Sequence, residues 1–186
     1  MHTLPQQVDS ARYWQELYRQ PLLFWQAALD GQRAECVAEM QRAGVADMLV
    51  QEIETYLDAA LWDTEPPVLL HGDLTDLNML VVEQAGSWRI TGLIDWGDAK
   101  LGSRMHEFIS PGVHMYQGDA NLLAAWYRGY GWAHRSTAAR DEREIMARAM
   151  LYYPDDFARL IQLIPGAAQC QSWSAVAAAF WRLSAP

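Results

Sequence analysis

The chain has 186 residues, 51% hydrophobic and 20% charged, the composition of a globular protein able to bury one sizeable core. Its net charge of -9 and pI near 4.9 argue against a nucleic-acid partner, because phosphate binding draws on clustered lysine and arginine that are absent. No apolar run approaches bilayer-spanning length and the N-terminus lacks the order of a signal peptide, so no membrane partner and a cytoplasmic location are expected. Cys36 and Cys170 fall in helical patterns without CxxC spacing and read as reduced, packed thiols.

From Asp9 to Asp30, Tyr13, Trp14, Leu17, Tyr18, Leu22, Phe24, Trp25, Ala28 and Leu29 recur at helical spacing, with Pro21 starting or kinking the second half. Trp14 and Tyr18 share a face and read as a core stripe rather than a sugar-stacking platform. Gly31 is expected to end that segment, and Ala34 to Arg42 a short amphipathic helix closed by Gly44. Val45 to Trp62 places Met48, Leu49, Ile53, Tyr56, Leu57, Ala60 and Leu61 on one helical stripe. Pro66 and Pro67 stop it.

The stretch Val68 to Gly97 carries the chemistry. His71-Gly72-Asp73-Leu74-Thr75-Asp76-Leu77-Asn78 lies between two apolar runs, a loop at the end of a buried strand. Asp95-Trp96-Gly97 ends the run Ile90 to Ile94, a second strand delivering a carboxylate. Glu83 to Ser87 is polar with a turn glycine, so the flanking strands pair as a hairpin that gathers Asp73, Asn78 and Asp95. H-x-D-x-x-x-x-N followed by Asp-aromatic-Gly is the arrangement of kinase-type phosphoryl transfer. An attacking hydroxyl needs a carboxylate to orient it and take its proton, which suits Asp73. Magnesium favours one or two protein oxygens completed by phosphate and water, which suits Asn78 and Asp95.

Through LLHGDLTDLNMLV and GLIDWGDAKLG the sequence resembles the aminoglycoside phosphotransferase and choline kinase-like family, well over roughly Leu57 to Phe108 and loosely beyond. The resemblance implies an α+β, mainly helical fold: the C-lobe of the protein-kinase-like fold, with a small β-hairpin carrying the catalytic and metal-binding loops. It implies Asp73 as catalytic base, Asn78 and Asp95 as Mg2+ and nucleotide ligands, and ATP or GTP as donor. His71 and Glu107 would support the loop. In place of the family's G-D/E-P-x-x-D-L, this chain has Gly102-Ser103-Arg104 and Glu107, a longer arm for the supporting acid. The opening Met1 to Pro5 is similar to a family helix just after the inter-lobe hinge. With no glycine-rich loop and Lys100 as the only lysine, residues 1–186 are expected to be one catalytic lobe without its nucleotide-binding N-lobe. Alone it would bind nucleotide weakly and turn over slowly, and the surface left by the missing lobe would suit a homodimer.

His106 and His114 have no matching acid or cysteine pattern and read as surface or capping histidines. Three further helical stretches are expected: Asn121 to Trp132 after Asp119, Thr137 to Leu163 broken at Pro154, and Ser172 to Leu183. In the family this region forms the substrate wall, which makes Asp119, Asp155 and Asp156 candidates to pair with substrate amines. The expected function is phosphoryl transfer to a hydroxyl of a small cationic molecule, such as an aminoglycoside or amino alcohol. The alternative is an inactive pseudokinase-like binding module or truncated fragment. A metal-dependent phosphohydrolase using His71, Asp73 and Asp95 is disfavoured, because two-metal sites draw on several histidines.

Overall fold

The computed structural model describes residues 31–59, 68–131 and 137–183. The aromatic segment Asp9 to Asp30, with Trp14 and Tyr18, lies outside the described residues, as do Pro66 and Pro67. Helix α1 is described over 31–42, so Gly31 sits inside a helix and does not end one. Cys36 and Met40, one turn apart, are its buried positions. Burial pushes the Cys36 thiol up to about 12, which leaves it a small apolar side chain rather than a nucleophile. Cys170 is a half-buried free thiol.

Helix α2 (Asp47–Ala59) buries Leu49, Ile53, Tyr56 and Leu57 of the expected stripe; Met48 is exposed instead, and Ala60 and Leu61 lie outside the described residues. Arg33 reaches from α1 to Glu54 and Asp58 on α2 at 3.2 and 2.7 Å. Helix α3 (Ala120–Gly129) starts at Asp119, whose Oδ1 accepts from the backbone N–H groups of Asn121 and Leu122. Helices α4 (Ala138–Tyr152) and α5 (Pro154–Leu163) meet at Tyr153. Pro154 has no N–H to continue α4, but its fixed φ suits the first position of α5. Ser172 caps α6 (Trp173–Trp181) through its hydroxyl, which accepts from Ala175 N.

The core is built around α4, which packs against α5, α6 and the 3-10 turn Arg104–Phe108. Phe157, Trp173, Phe180 and Trp181 fill the space between these helices and are fully buried. Their ring centroids lie 4.7 to 6.2 Å apart. The Trp173 indole N–H donates to Leu49 O at 2.7 Å and the Tyr127 hydroxyl to Trp181 O at 2.6 Å, so the polar tips of Trp173 and Tyr127 are satisfied, whereas the buried Trp181 indole N–H has no hydrogen-bond partner among the described residues.

α4 also buries charge. Arg148 donates to Glu144 Oε1 from Nε at 3.1 Å and from an NH2 group at 2.8 Å, and Ser103 Oγ donates to the same oxygen at 3.1 Å. This network pins the chain just after Gly102 to the central helix. Replacing Arg148 by Met removes the guanidinium that donates twice to the buried Glu144 carboxylate, so urea denaturation should show a loss of about 3 kcal/mol. A loss below about 0.5 kcal/mol, the range of ordinary surface changes, would show that the pair does not hold the segment.

Two small antiparallel sheets complete an α+β, mainly helical architecture. Strands β2 (Met79–Gln84) and β3 (Ser87–Leu93) form the expected hairpin, closed by Ala85 and Gly86, both at positive φ as a two-residue primed turn requires. The expectation of a buried strand before each acidic loop is not met before Asp95: neither hairpin strand contains a buried residue, and Val81, Val82, Trp88 and Ile90 are exposed, while of Val68–Leu70 before His71 only Leu70 is buried. An apolar ribbon is buried only when another layer covers it, and among the described residues none covers both its faces. The second sheet was not foreseen. β1 (Val68–Leu70) pairs with β4 (Lys100–Gly102), with Leu70 opposite Lys100.

Candidate active site

The β1–β4 pairing sets His71-Gly72-Asp73 against the segment that follows Asp95. Gly72 makes the turn at φ +86, and an added Cβ would lie 2.3 Å from Asp98 O and 2.9 Å from Lys100 Cε. Only glycine lets the two loops approach so closely.

His71 is buried and ties three elements together. Its backbone N–H donates to Glu107 Oε2 at 2.8 Å, its ring Nε2 lies 2.9 Å from Ile94 O, and its ring stands 4.7 Å from Trp96. Because a carbonyl only accepts, Nε2 carries the proton in that contact. The contact links the Asp73 loop to the residue before Asp95. From the other side Ile94 N donates to Asn78 O at 3.0 Å.

Asp73 is half-buried and held at both carboxylate oxygens. Asn78 Nδ2 donates to Asp73 O at 2.8 Å and to Oδ2 at 3.0 Å, and Ser110 Oγ donates to Oδ1 at 3.2 Å. Both Asn78 amide hydrogens are thus engaged, so its carbonyl oxygen is the atom left to act as a ligand. Asp95 is exposed at the exit of β3, at φ 60 and ψ 64. A left-handed non-glycine residue is uncommon and often marks a functional turn. Trp96 steadies the turn through its indole N–H, which donates to Leu93 O at 3.2 Å.

Glu107, at the end of the 3-10 turn, buries both oxygens; Oε1 has no hydrogen-bond partner among the described residues. The Lys100 ammonium is a nearby cation. Burial lowers the Lys100 ammonium below the usual lysine range, opposed by the nearby carboxylates of Asp98, Glu107 and Asp73, and its Nζ lies 5.4 Å over the Tyr152 ring. The chain's one lysine therefore lies between the two acidic loops.

His106 corrects an expectation. It is buried, not a surface or capping residue, and its ring meets Tyr152 edge-on at 4.3 Å. Desolvation first, then the charges of Lys100 and Arg148, hold it well below the ordinary histidine value of 6.5. The unfolded chain therefore binds a proton below about pH 6.5 that the native His106 refuses, so the stability this neutral imidazole supports is full above that pH and falls as pH drops. Between pH 7.5 and 5.5 the fall should be about 1 kcal/mol. Urea denaturation at the two pH values should show this slope, and a His106→Gln chain should lack it; identical slopes would exclude the effect. His114 is exposed, its ring 4.9 Å from Tyr153.

The three candidate substrate acids lie in two places. Asp119 is engaged as the cap of α3. Asp155 and Asp156 open α5 and line a hollow of about 270 Å³ with Glu35, Gln32, Tyr152 and Tyr153. Asp156 also meets Arg159 at 3.4 Å. The sequence reading missed Glu35, Ser110 and Tyr153. Ser110 lies 37 positions from Asp73, and no short motif marks it.

Among the described residues no three His, Cys, Asp or Glu side chains gather in a metal-binding group. One amide oxygen and one carboxylate fit a hard cation that completes its shell with phosphate oxygens and water. His71 is not available as a ligand through Nε2, which faces Ile94 O.

An α+β lobe carrying HxDxxxxN and DxG loops on neighbouring strands falls in the class of phosphotransferases. The phosphotransferase enzyme family matches residues 1–144, and the chain belongs to that family. No solved structure matches it.

Proposed function

We propose that this chain is the catalytic lobe of an ATP-dependent, magnesium-dependent phosphotransferase acting on a hydroxyl of a small cationic molecule. The observation that carries this reading is the grip of Asn78 on Asp73 inside a loop bonded directly to the residue before Asp95. Each Asp73 oxygen accepts one hydrogen bond and keeps a further lone pair, so the carboxylate still has room for an acceptor hydroxyl. As the acceptor oxygen bonds to the terminal phosphorus and the bond to the leaving nucleotide breaks, Asp73 takes the hydroxyl proton. Asn78 Oδ1 and the Asp95 carboxylate would hold Mg2+, which supplies charge neutralisation at the phosphates. Lys100 adds a positive charge beside the same loops.

The acceptor is assigned to the hollow beside Tyr153. Glu35, Asp155 and Asp156 surround two phenol rings there, a lining that favours an amine-bearing ligand through charge and cation–π contact. The test is label transfer from γ-labelled ATP with Mg2+ to a panel of aminoglycosides, amino alcohols and their N-acetylated forms. The expected product is a phosphate ester of the free amines, lost in Asp95→Ala. Equal labelling of acetylated and free acceptors would overturn the cationic substrate, and product formation unchanged by Asp95→Ala would overturn the metal assignment.

A further inference from the structure

Lys100 is the chain's one lysine, and the fold places it at a junction. It opens β4, opposite Leu70 of β1. Its Cε lies 2.9 Å from the point that a Cβ on Gly72 would occupy, so the stem crosses the turn one residue before Asp73. Its Nζ then stands 5.4 Å over the ring of Tyr152, the last residue of α4. A half-buried ammonium gains from an aromatic face, and that ring is steadied by His106, which meets it edge-on at 4.3 Å.

Tyr152 is also a wall of the hollow assigned to the acceptor, which Lys100 itself does not line. One phenol thus touches both the hollow and the ammonium, and the positive charge stands behind it on the side of the Asp73 loop. The carboxylates of the hollow come from elsewhere: Asp155 and Asp156 from the first turn of α5, beyond the helix break at Pro154, and Glu35 from α1. The hollow is therefore polarised, and an ammonium entering it is drawn to the acids and repelled from the Lys100 side. That polarity matters because Asp73 is itself a carboxylate. An acceptor carrying both amines and hydroxyls can present either group to it, and an amine there would occupy the base.

We propose that Lys100 is a specificity-determining residue: its ammonium keeps the amines of the acceptor away from Asp73, so that they settle on Glu35, Asp155 and Asp156 and a hydroxyl turns toward the base. This rests on the reading of the hollow as the acceptor site. Like charges about 10 Å apart, at the effective dielectric of a protein surface, bias an orientation by about tenfold. The best acceptor is then one whose amine and reacting hydroxyl are well separated, because an amine next to the hydroxyl is brought up against Lys100.

The test compares the wild type with Lys100→Met and Lys100→Arg in the full chain. Calorimetry reads the binding of neomycin, a polyamine, and of its fully N-acetylated form. Lys100→Met should bind neomycin about tenfold more tightly and Lys100→Arg like the wild type, while the acetylated form should bind all three alike. Label transfer to neomycin should move the opposite way, with kcat about tenfold lower in Lys100→Met and mostly restored in Lys100→Arg. A lysine that merely supported the fold would weaken binding and turnover together. In the wild type, aminohexanol should be labelled about tenfold faster than ethanolamine, a contrast lost in Lys100→Met. Neomycin affinity unchanged or weakened in Lys100→Met overturns the proposal, as does equal labelling of the two amino alcohols by the wild type. If the wild type labels no acceptor, the phosphotransferase reading fails by itself, and the calorimetric contrast still decides the role of Lys100. Should Lys100→Met not fold, Lys100→Gln takes its place.

Discussion

Asp73→Asn should lower phosphoryl transfer by about a thousandfold, within the range that a positioned general base contributes. The substitution keeps the side chain's size and removes its ability to take a proton. It also disturbs the two contacts that hold the residue. Asn78 Nδ2 and Ser110 Oγ both donate, and an amide presents one oxygen where the carboxylate presents two, so one donor must face an NH2 group. The cost to folding should be about 1 kcal/mol, because a single hydrogen bond to a half-buried group is lost. Label transfer and a urea midpoint on the same preparation separate the two effects. Transfer that survives unchanged in the Asn chain would overturn the reading of Asp73 as the base.

Gly72→Ala should destabilise the fold by about 3 kcal/mol, and it tests the approach of the two loops rather than the chemistry. Two costs add. An L side chain at φ +86 is strained, and its Cβ would lie 2.3 Å from Asp98 O, a backbone atom that cannot swing aside. Relieving the clash means separating the His71–Asp73 loop from the Asp95–Asp98 turn. That separation breaks the contacts of His71 with Glu107 and Ile94, so binding of magnesium nucleotide should fall together with stability. Gly86→Ala is the control. Its φ is +77 but its Cβ would meet nothing within 4 Å, so only the conformational cost of about 1 kcal/mol applies. Equal urea midpoints for the two variants would show that the Gly72 approach is not tight in solution.

Much of this protein is legible in the sequence because it is local. Leu49, Ile53, Tyr56 and Leu57 repeat at helical spacing, and α2 follows. Pro154 cannot donate to α4, and the helix breaks there. Gly86 closes a two-residue turn, and the β2–β3 hairpin forms around it. The two acidic loops are legible for the same reason: spacing within eight residues places Asp73 and Asn78 on one turn, where the amide reaches the carboxylate.

Other features needed the chain to close on itself. The run Lys100–Gly102 has no strand signature, and it becomes β4 only because β1 is there to pair with it. His106 looks like a surface residue until α4 covers it, and nothing in the sequence marks the buried Glu144–Arg148 pair, to which Ser103 bonds. The hairpin strands have the apolar composition of buried strands, yet no layer among the described residues encloses them, and they stay exposed. The sequence by itself determined the loops that carry Asp73, Asn78 and Asp95, because turn chemistry and periodicity act between near neighbours. Only the tertiary structure decided that Glu107 grips His71 from 36 positions away and that Ser110 grips Asp73 from 37. Such contacts are set by packing across the whole core, and no local pattern encodes them.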